Sequence, residues 1–415
     1  MTQGGEPSTL VRLSLDDLEA AEISGRRVLV RVDFNVPLEG EGESRSVSSD
    51  ARIRAALPTI RALLAQRATV VLASHLGRPK NGRDPELTLK PVADRLQTLM
   101  DRGVAYLPES FDERALKLVR SSEGGEVFLL ENLRFDPGEK ANDPEFARRL
   151  AAFADVFVQD AFGSCHRAHA STVGVTEYLD PCVAGKLVER ELAAFRRLLE
   201  DPRRPFVAIL GGAKIAGKLE TLRGLLERCD RVCMGGGMAN TFLLARGAEV
   251  GASLVEPELV DEARALLDEK GDALELPVDV VVARDITPDA ETRTVAAGEV
   301  ESGWKILDVG PATVAAFGKR IRQAETVFWN GPLGVFETPP FDTGTRRFAE
   351  LLAAATEAGA YTVVGGGDSV AALEDAGRVE DVSHVSTGGG AALELVSGVA
   401  LAGIAALDPP RSGKP

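Results

Sequence analysis

The sequence predicts an α/β protein of two domains, each built on a mainly parallel sheet with helices on both faces. Three observations carry this. Short β-branched and aliphatic runs recur along the chain. Segments with helical spacing of apolar residues separate them. And 415 residues exceed what one compact core usually holds. Strands that read as near-continuous apolar runs are those buried on both faces, which parallel sheets require.

In the first half the runs are Val28–Val32, Thr69–Ala73, Val127–Leu130 and Asp155–Val158. Helical spacing covers Ala51 to Gln66, Pro91 to Met100 and Asp143 to Phe153. The insert Glu39 to Ser49, rich in Gly, Glu and Ser, is expected to be a solvated loop. Gly185 to Glu200 is an amphipathic helix with Leu187, Leu192, Phe195 and Leu199 on one face. The Asp201–Pro205 stretch stops it. In the second half the strands are Phe206–Leu210, Arg231–Met234, Val278–Val282, Thr326–Trp329 and Tyr361–Val364. The run Val396 to Leu407 is too short for a bilayer and is expected to be a packed helix or strand.

Net charge of −15 argues against nonspecific nucleic-acid binding or an anionic membrane surface. The N-terminal residues lack a basic segment followed by an apolar core, so a cytoplasmic protein is expected. Four cysteines without a C-x-x-C pair suit buried thiols in a reducing compartment.

Parallel sheets carry ligands at the carboxyl ends of their strands. In the first half those ends gather Arg31, Arg52, His75, Arg78, Arg134, His166, Arg167 and His169. An acidic chain that collects these cations at one sheet edge is building an anion pocket, and the planar guanidinium suits phosphate and carboxylate. Asp33 and Asn35 could hold a substrate hydroxyl. His166 and His169 are spaced like a metal pair, but no third ligand is apparent and Arg167 would repel a cation.

The second half ends its strands in glycines. Gly211–Lys218 reads GGAKIAGK, close to a P-loop, but Leu219 stands where that pattern needs a hydroxyl. Lys214 and Lys218 lie one helical turn apart and would point the same way if a helix begins there. Gly235-Gly236-Gly237 lets a flat ring approach the backbone. Asn330 and Glu337 offer an amide and a carboxylate for ribose, and Gly366-Gly367-Asp368-Ser369 suits a metal–phosphate unit. A basic, acid-binding half with a glycine-rich nucleotide half suggests a kinase, which needs positioning and charge neutralisation above all.

The motifs RVDFNVPL (Arg31–Leu38), SHLGRP (Ser74–Pro79), LLENLRF (Leu129–Phe135), DAFGSCHRAHAS (Asp160–Ser171), LGGAK (Leu210–Lys214), WNGPLGVFE (Trp329–Glu337), GGGDS (Gly365–Ser369) and STGGGAALE (Ser386–Glu394) resemble the phosphoglycerate kinase family in order. The resemblance implies two Rossmann-like three-layer α/β/α domains joined by a hinge helix. It places a phosphoglycerate-binding domain over 1–184, the hinge helix over 185–200 and a nucleotide-binding domain over 201–397. A tail from about 398 to 415 would pack back on the first domain. The implied reaction is reversible, magnesium-dependent transfer of phosphate between 1,3-bisphosphoglycerate and ADP, giving 3-phosphoglycerate and ATP in glycolysis, by a monomer.

By the same resemblance, Asp33, Phe34, Asn35, Arg52, His75, Leu76, Gly77, Arg78, Arg134 and Arg167 would bind the glycerate. Arg52 and Lys214, with the amides of Gly388, Gly389 and Gly390, would neutralise the moving phosphoryl group. Lys218, Gly235, Gly236, Asn330, Glu337, Gly366, Gly367, Asp368 and Ser369 would bind the nucleotide, with Asp368 on magnesium. Three departures stand out. Gly217 replaces the family's usual Asp, Ile306 replaces a frequent Gly, and Ser397–Gly403 lacks the usual Lys and Pro. Rival readings are a P-loop-like NTPase and a non-catalytic binder of phosphorylated acids.

Overall fold

The computed structural model describes residues 10–80 and 82–411. These fall into two compact units, one reaching Ala193 and taking in the chain from Ala400 on, the other Ala194–Val399.

The first unit contains β1 (Arg27–Val32), α1 (Ala51–Ala65), β2 (Thr69–Ala73), α2 (Lys90–Met100), β3 (Ala105–Leu107), β4 (Val127–Leu130), α3 (Pro144–Ala151), β5 (Val156–Asp160) and β6 (Cys182–Ala184). The six strands form one parallel sheet in the order β3-β4-β2-β1-β5-β6. The β-branched run of β1 explains its central place. Val28, Val30 and Val32 are buried on one face with Ile53 and Ile60 of α1 and Val70 and Leu72 of β2. The order reverses between β1 and β5, so the carboxyl end of β1 is a ligand crevice by topology. The expected loop over 39–49 contains a two-stranded antiparallel ladder pairing Leu38 with Val47 and Glu39 with Ser46.

The helix α4 (Lys186–Leu199) begins where Asp160 Oδ1 accepts from the Leu187 amide at 2.9 Å and Thr59 Oγ1 from the Lys186 amide at 2.9 Å. Both groups serve the unsatisfied first-turn amides. Burial pushes the Asp160 carboxyl up to about 7. Residues 400–411 pack on this first unit. Asp408 accepts from Leu13 through its carbonyl and from Cys182 through Oδ2, and Leu401, Ile404 and Leu407 are buried. The apolar run 396–407 is broken into a helix end at Val396 and one short turn, Ala402–Ala405, because Gly398 takes φ +95°.

The second unit repeats the plan: β7 (Phe206–Leu210), α5 (Leu219–Arg228), β8 (Arg231–Met234), α6 (Gly236–Ala245), β9 (Leu274–Glu275), β10 (Asp279–Ala283), β11 (Arg293–Ala296), β12 (Lys305–Val309), α7 (Pro311–Gln323), β13 (Thr326–Asn330), α8 (Thr343–Glu357), β14 (Tyr361–Gly365), α9 (Gly367–Asp375), β15 (His384–Val385) and α10 (Gly389–Val396). Its parallel sheet runs β9-β8-β7-β13-β14-β15. Val207, Ile209, Trp329, Phe317 and Phe348 share one core. Topology reverses between β7 and β13, whose ends carry Gly211 and Gly331.

One strand departs from expectation. The Val278–Val282 run does not join this sheet. It forms β10 at Asp279–Ala283, in a separate antiparallel sheet ordered β11-β10-β12. Val280 and Val282 are buried while Asp279 and Val281 are only half-buried, the alternation of a sheet with one open face. An apolar run alone does not distinguish the two cases.

Candidate active site

In the first unit the site grows from the carboxyl ends of β1, β2 and β4. Asp33 follows β1 and accepts a 2.6 Å ion pair from Arg52 Nη1 in the first turn of α1. Asp33 Oδ1 also takes the Asn35 amide at 3.1 Å, an Asx turn that fixes the loop. Asn35 Oδ1 then accepts from the Gly77 amide at 2.8 Å, tying the β1 loop to the β2 loop. Gly77 has φ +61°, and a Cβ there would stand 2.6 Å from Leu87 Cδ2, so both conformation and space call for glycine. The Gly77 carbonyl accepts from Arg134 Nη1 at 2.7 Å.

Phe34 and Leu76, expected to touch substrate, are buried and belong to the core. The Phe34 amide is taken by Ser74 Oγ, and both backbone groups of Leu76 are taken by Asn132.

Arg31 lies inside β1 and is 1% exposed. Its Nη2 donates to His75 Nδ1 at 3.0 Å and its Nε to Ser171 Oγ at 2.8 Å. Ser171 Oγ donates onward to Glu139 Oε1 at 2.7 Å. A guanidinium only donates, so His75 Nδ1 must accept, and its proton resides on Nε2. Burial first, then the charges of Arg31, Arg134 and Arg52, hold His75 well below its ordinary value. His75 is therefore a neutral Nε2–H donor.

The sign of the resulting pH effect is fixed. Unfolded His75 gains a proton below about pH 6.5, while the folded residue does not until well below that value. Stability is unaffected by this group above pH 6.5 and falls as pH drops beneath it. Thermal unfolding from pH 7 to 5.5 is expected to show a shallower loss in His75→Gln than in the parent; equal slopes would contradict the burial of a neutral imidazole.

Arg134 is held down to about 10, by burial first and by the nearby Arg31, and remains charged at neutral pH. Its Nε is buried without a partner among the described residues. Arg78 and Arg167 are exposed, and both repel the Arg134 guanidinium. Such mutual repulsion between clustered cations favours an anion. His166 Nδ1 likewise lacks a partner among the described residues, whereas His169 Nδ1 lies 3.7 Å from Glu139 Oε1. The two histidines thus face different surroundings.

In the second unit a cavity of about 340 Å³ lies at the switch point. Gly212, Gly236 and Gly237 form one wall, and Leu254, Ile306 and Leu333 contribute apolar surface. Glu337 and Asp368 also line it. Burial first, then Glu337, raises the Asp368 carboxyl above its ordinary value. Ile306 does line this cavity, and its amide donates to Ser253 Oγ at 2.8 Å.

Several expectations are corrected here. No helix begins at Lys214. Gly212 and Gly217 adopt φ +125° and +71°, outside helical geometry, and α5 starts only after Lys218, its N-cap residue. Lys214 is exposed on the loop, while Lys218 is half-buried with Nζ 3.7 Å from where a Cβ on Gly212 would stand. Burial lowers the Lys218 ammonium, against the favourable charge of Glu256.

Gly235 is covered by Leu333, so Gly236 and Gly237 line the cavity in its place. The Asn330 side chain donates through Nδ2 to the Gly389 carbonyl at 3.0 Å. Ser369 is fully buried and its Oγ accepts from the Gly331 amide at 2.7 Å. Asn330 and Ser369 therefore brace the loops from behind. Gly367 and Asp368 remain exposed at the start of α9, and Gly366 takes φ +96°. At α10, the Gly388 amide donates to Ser386 Oγ at 3.3 Å, while Gly389 and Gly390 supply first-turn amides.

A family model described as phosphoglycerate kinase matches residues 15–399. The chain belongs to the phosphoglycerate kinase family. A phosphoglycerate kinase of Herpetosiphon aurantiacus is 53% identical over 93% of this chain and 97% of its own. One of Synechococcus elongatus is 50% identical over 95% and 98%. Among solved structures, a phosphoglycerate kinase from Coxiella burnetii superposes with a TM-score of 0.81 at 40% identity, covering 95% of this chain and 98% of that one. One from Pyrococcus horikoshii gives 0.82 at 32% identity, with the same coverage. This phosphoglycerate kinase family member is a phosphotransferase with a carboxyl group as acceptor, a glycolytic activity. Neither the P-loop NTPase nor the non-catalytic binder is favoured.

Sequence reasoning missed Glu256, and it missed the apolar wall of Leu254, Ile286 and Leu333. Glu256, Leu254 and Ile286 lie outside the glycine clusters at strand ends, and Leu333, though inside the Asn330–Gly334 cluster, carries no polar group to mark it.

Proposed function

We propose that the first unit holds 3-phosphoglycerate or 1,3-bisphosphoglycerate and the second holds ADP or ATP. The observation that carries the first assignment is the set of cations at the ends of β1, β2 and β4, of which, among the described residues, only Arg52 has a carboxylate, Asp33, as close partner. Asp33 and Asn35 would orient the glycerate, His75 would donate through Nε2, and Arg78, Arg134 and Arg167 would hold carboxylate and phosphate oxygens. Each such charged hydrogen bond contributes about 1.5–3 kcal/mol.

The second assignment is supported by the glycine-walled cavity with its apolar surface. A purine fits against Gly236 and Gly237, Glu337 would take the ribose, and Lys218 the phosphates. Asp368 suits a hard cation, with a second carboxylate, Glu337, close by and exposed oxygen donors. Among the described residues no group of three or more His, Cys, Asp or Glu is placed to hold a metal, so phosphate oxygens would complete the shell. Magnesium bound there supplies charge neutralisation of the nucleotide phosphates.

Transfer needs no general base, because the attacking carboxylate or ADP oxygen is already ionised. What the chain supplies is charge at the moving group: Arg52 from the first unit, and Lys214 with the Gly389 and Gly390 amides from the second. Bringing these together calls for the family's hinge-bending closure, with the helix around 185–200 as hinge. A cytoplasmic monomer acting on small molecules alone completes the reading; no helix among the described residues is long and apolar enough to cross a membrane.

The test is ATP formation from ADP and 1,3-bisphosphoglycerate with magnesium. Steady turnover is expected; well-folded protein that binds phosphoglycerate yet forms no ATP would overturn the assignment.

A further inference from the structure

We propose that Glu256 is a positioning residue for phosphoryl transfer, clamping the loop that carries Lys214; this rests on the role given to Lys214 above. The loop after β7 has no regular structure from Gly211 to Lys218, and two of its glycines sit at positive φ. Nothing in its own sequence would make it rigid. Yet the two amides directly after Lys214 converge on one carboxylate. Ile215 N donates to Glu256 Oε2 at 2.5 Å and Ala216 N to Oε1 at 3.2 Å.

Successive amides aimed at one anion form a nest, here filled by the protein's own side chain. Charge-assisted bonds of this kind are about twice as strong as neutral ones.

The clamp is itself anchored. Glu256 is 6% exposed, and its amide donates to Thr241 Oγ1 at 3.1 Å, inside α6. The start of α6 supplies the glycine wall of the nucleotide cavity. The same segment contributes Leu254 to that cavity, and its carbonyl accepts from Asn240 Nδ2 at 3.1 Å. Ser253 Oγ receives the Ile306 amide. One carboxylate thus fixes the Lys214 loop against the frame that holds the base. Ile215 plugs the interior beside it, 1% exposed, so the loop is seated through both side chain and backbone. The carboxylate also offsets the buried charge of Lys218. A misplacement of about 1 Å at a reacting centre can cost on the order of 10²-fold.

Glu256→Gln tests this in the full-length protein. The amide keeps the volume but offers one acceptor, and its NH₂ opposes the second backbone N–H. Hydrogen exchange at Ile215 and Ala216 is expected to quicken while α5 is unchanged. The kcat should fall roughly 10- to 10²-fold with the KM for 3-phosphoglycerate within about twofold. The double variant with Lys214→Ala should be no slower than Lys214→Ala alone, since the clamp acts through that lysine. Glu256→Asp, which keeps the charge, should recover part of the loss. Unchanged exchange, unchanged kcat, or additive losses in the double variant would each overturn the proposal. An unchanged kcat in Lys214→Ala would remove the catalytic reading of Lys214, and the clamp's role in turnover with it, while the exchange result would still report separately on the clamp.

Discussion

Lys214→Ala is expected to lower kcat by about 10²-fold or more, with little change in the binding of either substrate alone. Lys214 is exposed on the loop after β7, outside any helix. An exposed ammonium contributes little to the resting fold. Its effect should therefore appear where negative charge concentrates during transfer. Removing one preorganised charge or donor from such a site has an effect on the order of 10²- to 10³-fold. Steady-state kinetics with calorimetric titration of ADP and of 3-phosphoglycerate separate the cases. A fall confined to ADP affinity, with kcat intact, would make Lys214 a nucleotide ligand only.

The second large effect is expected from Gly211→Ala. The Gly211 amide donates to the Asn330 carbonyl at 3.0 Å, joining the ends of β7 and β13. A Cβ at this position would stand 2.0 Å from the Pro332 carbonyl oxygen and 2.8 Å from that of Gly331. Both contacts are backbone, so no side chain can turn aside. The two loops must part, and Pro332 and Leu333 line the cavity proposed above for the nucleotide. Overpacking of this kind destabilises by about 3 kcal/mol. ADP affinity should fall at least roughly tenfold, as loss of a close-fitted wall worth about 1.4 kcal/mol or more requires. Wild-type ADP binding in this variant would mean that the Gly211–Pro332 contact does not shape the site.

The parallel sheets were legible because a strand buried on both faces leaves an unbroken apolar run. Phe206–Leu210 and Thr326–Asn330 are such strands, and their terminal glycines mark the switch point. The antiparallel strand at Asp279–Ala283 has much the same composition, so its sheet could be assigned only from its pairing. Roles inside the motifs were legible by residue type but not by direction. Asn330 and Ser369 lie in the expected motifs, yet their polar atoms serve Gly389 and Gly331. Lys214 and Lys218 were spaced for one helix face, but positive φ at Gly212 and Gly217 keeps that segment out of helical geometry. Glu256 was invisible, since a carboxylate that binds backbone amides far away in sequence leaves no local pattern.

The division of labour between the two units is tested most directly by crossed titrations. ADP and 3-phosphoglycerate are titrated separately into the parent protein, Arg167→Ala and Gly211→Ala. Arg167→Ala is expected to lose about tenfold or more in 3-phosphoglycerate affinity, as one charged contact of about 1.5–3 kcal/mol implies, while ADP affinity stays within about twofold. Gly211→Ala should show the reverse pattern. Loss of ADP binding in Arg167→Ala, or of 3-phosphoglycerate binding in Gly211→Ala with the fold intact, would contradict it.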